Sequence, residues 1–392
     1  MTFIMQQIGK ITLILSSLMF VSNIVVTAQS RQAFTAEEIR SVQKKGNTKT
    51  VILSAVKRSQ RGDAYHLSGD RRILGGINSL LKVKWDQSLI NDQKNLIDAM
   101  FNSAKPSSQM NSKLAFKDEY TGWISLTKGQ SYSEEVPLFE SYSFVYIAEF
   151  LYLLKERGWI NESNDNRRWW QEKVAFVEKN GWEKWMKRSE LKFKKKYTYF
   201  LRGRTHMGSH WAGVALYLEK ISSDDKIRKQ AREVYTTYDM LLKRNFKVVD
   251  GRYVWNSTYD DVTGTDATPS TIQRVQDTSH GNNVVAYIIA AEDLGNGNWT
   301  DEDIKLLIGT LKHAVYSSTN KTFNSYIDGT TDIADRSRFF LGDGWVKLSR
   351  YDEDLLNLFK QYSTDEDKMR VSNQEFQFNS NLMEAEKYRS LQ

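Results

Sequence analysis

From residue 35 onward, apolar positions recur at the three- and four-residue spacing of α-helices, with little of the alternation that marks strands. Thr35, Ala36, Glu37 and Glu38 form a capping-box signal, and Ile39 and Val42 follow one turn apart. Residues 91–101 place Leu96, Ile97, Met100 and Phe101 on one stripe. Residues 139–154 are apolar and aromatic on nearly every side, the pattern of a helix enclosed by other helices. The period continues through 211–221 and 227–246. Residues 280–294 carry Val284, Val285, Ile288 and Ile289 and stop at Gly295. Thr300, Asp301, Glu302 and Asp303 open a further capped helix bearing Ile304, Leu307, Leu311 and Val315, and shorter amphipathic pieces follow at 355–360 and 373–388. Residues 49–56 fit either period. Residues 247–254 predict a hairpin turning at Asp250-Gly251, and 339–348, with Gly342 and Gly344, predict loop or short strand.

Helices in this number must bury a large apolar area, as a bundle, a solenoid or a closed α/α toroid. Long polar loops are expected at 203–210, 256–279 and 322–338. A toroid gathers the loops of successive helical hairpins at one end and so builds a deep cleft. The expected fold is therefore all-α, a single-domain α/α toroid over residues 29–392. Residues 1–28 stand apart: one Lys, an apolar run over 11–26, then Val26-Thr27-Ala28 before Gln29. This is a secretory signal pattern, so a periplasmic or secreted monomer, free of the membrane after cleavage, is expected; an uncleaved anchor is the alternative.

Composition narrows the chemistry. The 392 residues include no Cys, which excludes disulfides, a thiolate nucleophile and a zinc site built on sulfur. Neither a dinucleotide glycine fingerprint nor a phosphate loop occurs. The net charge of +7 falls to +6 without the signal, which permits an anionic partner without requiring nucleic acid. Its location is more telling. Residues 184–204 hold nine basic side chains and one acidic one, Glu190, among Trp185, Phe193, Tyr197, Tyr199 and Phe200. That mixture suits an acidic sugar polymer or a nucleic acid, and export favours the polymer; a solvated basic helix face is the plain reading.

Of five His, three fall at glycine-bearing junctions: His206 and His210 after Arg204, and His280 before Gly281. His206 and His210 would share a helix face if that stretch were helical, as a metal pair, as structural histidines, or with Arg204 as an acidic-ligand site; Gly208 weakens such a helix. His280 opens a helix, where Gly281 would let a ligand approach and the N-terminus favours a negative group. His66 and His313 are expected to have no specific role. Tyr326, in a polar loop with Arg336 and Arg338 following, is a candidate proton carrier, its phenol lowered from about 10 by the cations. Tyr259 and Tyr287 compete with it.

Assembled, residues 140–351 resemble exported bacterial polysaccharide lyases of the α/α-toroid class, most closely glucuronan- and alginate-lyase-like members. The resemblance implies β-elimination on a uronic-acid polysaccharide, with no cofactor and no metal. It implies His280 as base or carboxylate neutraliser, Tyr326 as acid/base and Arg338 as a partner for carboxylate or Tyr. Arg204, His206, His210, Trp211 and Asn282 would line the substrate subsites. Some of those lyases place Asn directly before the catalytic His, where Ser279 stands here and Asn282 lies two positions after. Two other classes compete: a toroid glycoside hydrolase using paired carboxylates drawn from Asp260, Asp261, Asp266 and Asp277, and a non-catalytic glycan-binding protein.

Overall fold

The stretch that fits either period is helix. In the computed structural model α1 spans Thr48–Ser59, with Val51, Ile52 and Ala55 buried on one face. The structure describes residues 48–111, 113, 116–259, 262, 265–267, 274–363 and 372–391; the signal segment and the capping box at 35–38 lie outside them. No helix among the described residues is long and apolar enough to cross a membrane.

Five long helices form the inner framework: α2 (Ala64–Val83), α4 (Pro137–Glu156), α7 (Thr205–Ile221), α9 (Thr278–Asp293) and α13 (Ser372–Arg389). Between α2 and α4 lies α3 (Gln87–Asn102), on which the predicted stripe is buried. Helix α2 packs against α4 and α13, α4 against α7, and α7 against α9. The short α11 (Gly344–Lys347) packs against α9 and α13. The enclosed character of α4 fits this placement: Phe144, Ile147, Phe150, Leu151 and Leu154 point several ways and all are buried.

Other helices cover the framework with one face. Helix α1 lies on α2 and α3, and α5 (Asn164–Phe176) runs beside α4. Helix α6 (Lys184–Phe193) follows, α8 (Asp225–Asn245) packs on α7, and α12 (Glu353–Ser363) packs on α13. On α8 the buried residues Ile227, Ala231, Val234, Tyr238, Leu241 and Leu242 form a single stripe. Helix α10 (Asp301–Thr310) has the predicted capping box between Thr300 and Asp303. The predicted hairpin pairs Lys247–Val249 with Arg252–Val254, and its turn places Asp250 and Gly251 at φ +48° and +72°.

Three expectations are corrected. Residues 203–210 are not loop, because α7 begins at Thr205. Gly208 does not break it: a Cβ there would stand 2.7 Å from the Tyr238 ring, so the glycine admits close packing of α8 on α7. Residues 339–348 are loop only over 340–343: Phe339 ends a 3₁₀ turn (Arg336–Phe339), and Gly344 opens α11, where a Cβ on Gly344 would meet the backbone of α9. The basic segment is a solvated face only in part: Lys187, Lys192, Lys194, Lys195, Lys196 and Arg204 are exposed, but Lys184 and Arg188 are fully buried. Lys184 bonds Glu140 at 2.7 Å, and Arg188 reaches Asp118 at 2.8 Å and Glu135 at 3.1 Å. Trp182, Trp185, Tyr199 and Phe200 are core residues around them.

The inner helices share one direction. Side chains from their first turns, among them His66, Tyr142, Met207, His280 and Gln377, line depressions at one end. Side chains from their last turns, Lys82, Tyr152, Tyr217, Asp293 and Lys387, line a cavity of about 240 Å³ at the other.

Candidate active site

The first turn of α9 is built by one carboxylate. Asp277, in extended conformation, caps the helix by accepting the His280 N–H at 3.0 Å. The ring of the same histidine folds back, and its Nδ1 lies 2.9 Å from both carboxylate oxygens. Ser279 Oγ and Gln276 Nε2 donate to Asp277 as well, at 2.7 and 3.0 Å. Burial works against ionisation, yet the hydrogen bonds and charge of His280, with Ser279, hold the Asp277 carboxyl well below the usual carboxylate range. In the neutral form of His280, an ionised Asp277 takes the proton on Nδ1 as its donor and the lone pair is left on Nε2. The side chain of His280 is 45% exposed.

Behind this ring stands His206, ring centroids 4.1 Å apart. Burial, reinforced by His280 and Arg204, pushes the His206 imidazole well down, and burial with Arg71 does the same to His210. Both rings are therefore neutral near pH 7. Helix α7 brings them to one face, but with different neighbours: His210 meets the edge of Tyr142 at 4.2 Å. Among the described residues no group of three or more His, Asp or Glu side chains is placed to hold a metal ion.

His280 opens onto a groove of about 270 Å³, also lined by Arg71, Arg72, Asn282, Asn283, Phe340 and Asp343. Arg71 and Arg72 come from α2 and were not singled out by the sequence. The Arg71 guanidinium lies over the Tyr142 ring at 3.8 Å, and its Nη1 is buried without a hydrogen-bond partner. Neither arginine has a carboxylate partner among the described residues. Burial, and then the charge of Arg71, push Arg72 down to about 10. Two adjacent cations without a direct ion pair, offset only in part by the Asp343 charge acting on Arg72, could receive an anion beside His280.

The other predicted residues divide. Asn282 forms part of the groove wall while its Oδ1 accepts the Trp345 N–H at 3.0 Å. Arg204 is exposed at the start of α7, in a separate depression of about 630 Å³ with Lys192, Arg202 and Tyr199. Trp211 is fully buried against Phe200 and serves the core. Tyr326 is half-buried, and its backbone bridges Asp277 from behind the cap, so it is not among the groove-lining residues. Arg338 spends its guanidinium on the carbonyls of Asp332 and Ile333, at 2.8 and 3.0 Å. Gly281 is packed toward Trp345, Ile327 and Trp255, so its missing side chain serves the core and not a ligand.

No known protein family, curated protein or solved structure matches the chain.

Among the competing residues, Tyr287 is buried and donates to Asp239 at 2.7 Å, and Tyr259 is buried beneath Gly208. Of the carboxylates a hydrolase would use, Asp277 is engaged by His280 and Asp266 accepts the Tyr197 N–H at 3.0 Å. Asp260 and Asp261 lie outside the described residues. His66, read as idle, lines the depression next to the groove together with Tyr142.

Proposed function

We propose that the protein is an exported polysaccharide lyase on an α/α toroid, cleaving a uronic-acid polysaccharide by β-elimination. The observation that carries the reading is the Asp277–His280 pair facing Arg71 and Arg72 across one groove. The toroid is supported by the order of helix contacts, in which α2, α4, α7, α9, α11 and α13 each pack on the next and α13 packs on α2.

The chemistry follows from what each group can do. A proton on the carbon next to a carboxylate is barely acidic until the carboxylate charge is offset. Arg71 and Arg72, with the amides of Asn282 and Asn283 in the groove wall, supply that offset. His280 Nε2 then takes the C5 proton, and Asp277 stabilises the imidazolium that forms. The C5–H electrons become the C4–C5 double bond as the C4–O bond breaks. A proton passes to the departing oxygen. Tyr142, which lines the adjoining depression beneath Arg71, is the tyrosine we assign to that step. The cations are fixed before the reaction, so they stabilise the enolate-like state more than the ground state.

The test is ultraviolet absorbance from unsaturated uronate ends on glucuronan and mannuronate-rich alginate. The wild-type protein should generate it, and His280→Ala should lower the rate by at least about a hundredfold with the fold intact. Reducing ends without the chromophore would establish hydrolysis instead. Neither product from any uronate polymer would reduce the protein to a glycan binder.

A further inference from the structure

We propose that the outer face of α6, with the turn that follows it, attaches the protein reversibly to an anionic lipid surface, Leu191 entering the bilayer interface between Lys187 and Lys194. The inference does not depend on the elimination reading.

Helix α6 divides its residues by face. Lys184, Trp185, Arg188 and Ser189 are buried, whereas Lys187, Glu190 and Leu191 are exposed. Lys187, Leu191 and Lys194 follow at spacings of four and three, so they share one outward stripe. Lys194 closes the helix in the left-handed region, at φ +60°, and Lys195 and Lys196 carry the charge past its end. With Lys192, five lysines are exposed here, and among the described residues none of them forms an ion pair. Their amines meet carbonyls or rings instead. Lys194 donates to the Leu191 carbonyl at 3.3 Å and Lys195 to that of Thr265 at 3.1 Å, while Lys187 lies over the Tyr120 ring. Glu190, on the same face, offsets one of these charges.

An acidic polymer would need ring faces on which to stack its sugars or bases, and the aromatic side chains of this stretch do not offer them. Trp185, Tyr199 and Phe200 are core residues. Tyr197 is half-buried and donates to Glu233 at 2.7 Å. Phe193 is half-buried too, its edge on Tyr199 and Lys192 over its face. What projects is an aliphatic side chain: Leu191 is 65% exposed. A hydrated polyanion has nothing to bury it in. A bilayer supplies both partners, head-group phosphates for the lysines and acyl carbon a few ångströms deeper for the leucine. Lysine stems are long enough to keep their amines at the phosphates while the helix face settles on the surface. The buried ion pairs of Lys184 and Arg188 fix the helix from behind, so the stripe is presented on a rigid support. Since no described helix is long and apolar enough to span a membrane, attachment through this face is peripheral.

The chain has no Cys, so Leu191→Cys creates a single site for an environment-sensitive fluorophore. That label should shift to the blue and brighten at least about twofold on vesicles of equal phosphatidylglycerol and phosphatidylcholine, and should not respond to phosphatidylcholine alone. The same label at Leu391→Cys, beside the cavity at the other end of the helices, should respond to neither. The N-terminal apolar run is common to every variant, so the differences are local to the label. Lys187→Gln, Lys194→Gln and Lys196→Gln together should raise the lipid concentration for half-response about a hundredfold, or about fivefold per lysine, with an unchanged melting temperature. Raising the salt to about 0.5 M should weaken the response in the same direction. Four results overturn the inference: no response to the anionic vesicles, equal response to both vesicles, an equal response at Leu391, or a half-response that the three substitutions leave in place. A Leu191 label that responds to a homopolyuronate and not to the anionic vesicles makes the face a polymer contact and overturns it as well.

Discussion

Replacing Asp277 by Asn tests the site at its most constrained atom. The carboxylate receives five donor contacts: the His280 N–H, His280 Nδ1 to each oxygen, Ser279 Oγ and Gln276 Nε2. An asparagine offers one oxygen in place of two. The cap survives, because Asn caps a helix about as well as Asp, so the loss of stability stays below about 1 kcal/mol. The ring contact does not survive in the same form. If the amide oxygen faces Nδ1, a charge-assisted hydrogen bond becomes a neutral one and about 1.5 kcal/mol or more of support for the imidazolium is lost. If the amide NH₂ faces it, Nδ1 must accept, the proton moves to Nε2, and the base has no lone pair to offer. A wrong tautomer of that kind costs about 10⁴ in a serine protease triad. Asp277→Asn should therefore lower kcat/KM by about 10² to 10⁴, read from the initial rate of absorbance on a homopolyuronate, while the melting temperature falls by no more than a few degrees. Asp277→Ala, which also removes the cap, should lose about 1 kcal/mol more stability at a similar rate. A rate within threefold of wild type in a folded Asp277→Asn protein would refute the dyad.

Four further outcomes follow from the same coordinates. Tyr142→Phe should reduce the elimination rate by at least about a hundredfold, while Tyr326→Phe should change it less than about threefold; the reverse order would return the acid role to the 322–338 segment. Gly208→Ala forces a Cβ to 2.7 Å from Tyr238 and should cost about 1–3 kcal/mol in urea unfolding, with the α7 histidines displaced and activity reduced. Lys82→Met leaves Glu149 and Glu384 buried without their shared cation and should cost about 3–5 kcal/mol in the same assay. Asp70 has a folded-state pKa raised from 3.8 to about 6, so its contribution is fully present below about pH 4 and is lost as pH rises through 6. The shift corresponds to about 3 kcal/mol between pH 4 and 7, and Asp70→Asn should flatten the stability profile over that window.

Much of the helical plan was legible because apolar period is a local signal: α4, α8 and α9 appear within about two residues of the expected bounds, and α10 carries Ile304 and Leu307 before the chain continues as a π-helical turn through Leu311 and Val315. The helix opening at His280 was legible for the same reason, but the Asp277 cap that holds the His280 ring was not read from the sequence. What failed were readings that depend on a partner distant in sequence. Gly208 reads as a breaker until Tyr238 is seen pressing on it. Lys184 and Arg188 read as surface until Glu140, Glu135 and Asp118 are brought from 44 to 70 residues away. Arg71 and Arg72 sit inside a long helix, between Gly69 and Gly75, and not at a loop junction of the kind that marked the histidines. Their distinction is the lack of a direct ion pair, a property of what surrounds them and not of their own stretch of chain. Arg338 and Trp211 illustrate the converse: suitable residue types whose functional atoms are spent on backbone and core.

The packing of α13 on α2 also sets a timetable. Asn381 accepts the Ser79 hydroxyl, Lys387 donates to the Val83 carbonyl, and Phe376 fills the space above Gly76, contacts that join positions about 300 residues apart. Until residues 372–389 have left the ribosome, α2 lacks one of its two principal neighbours and Lys82 lacks one of its two carboxylates. Closing so long a span makes productive folding a late and comparatively slow event. The helical array therefore reaches its full set of contacts only when nearly all of the chain has been made.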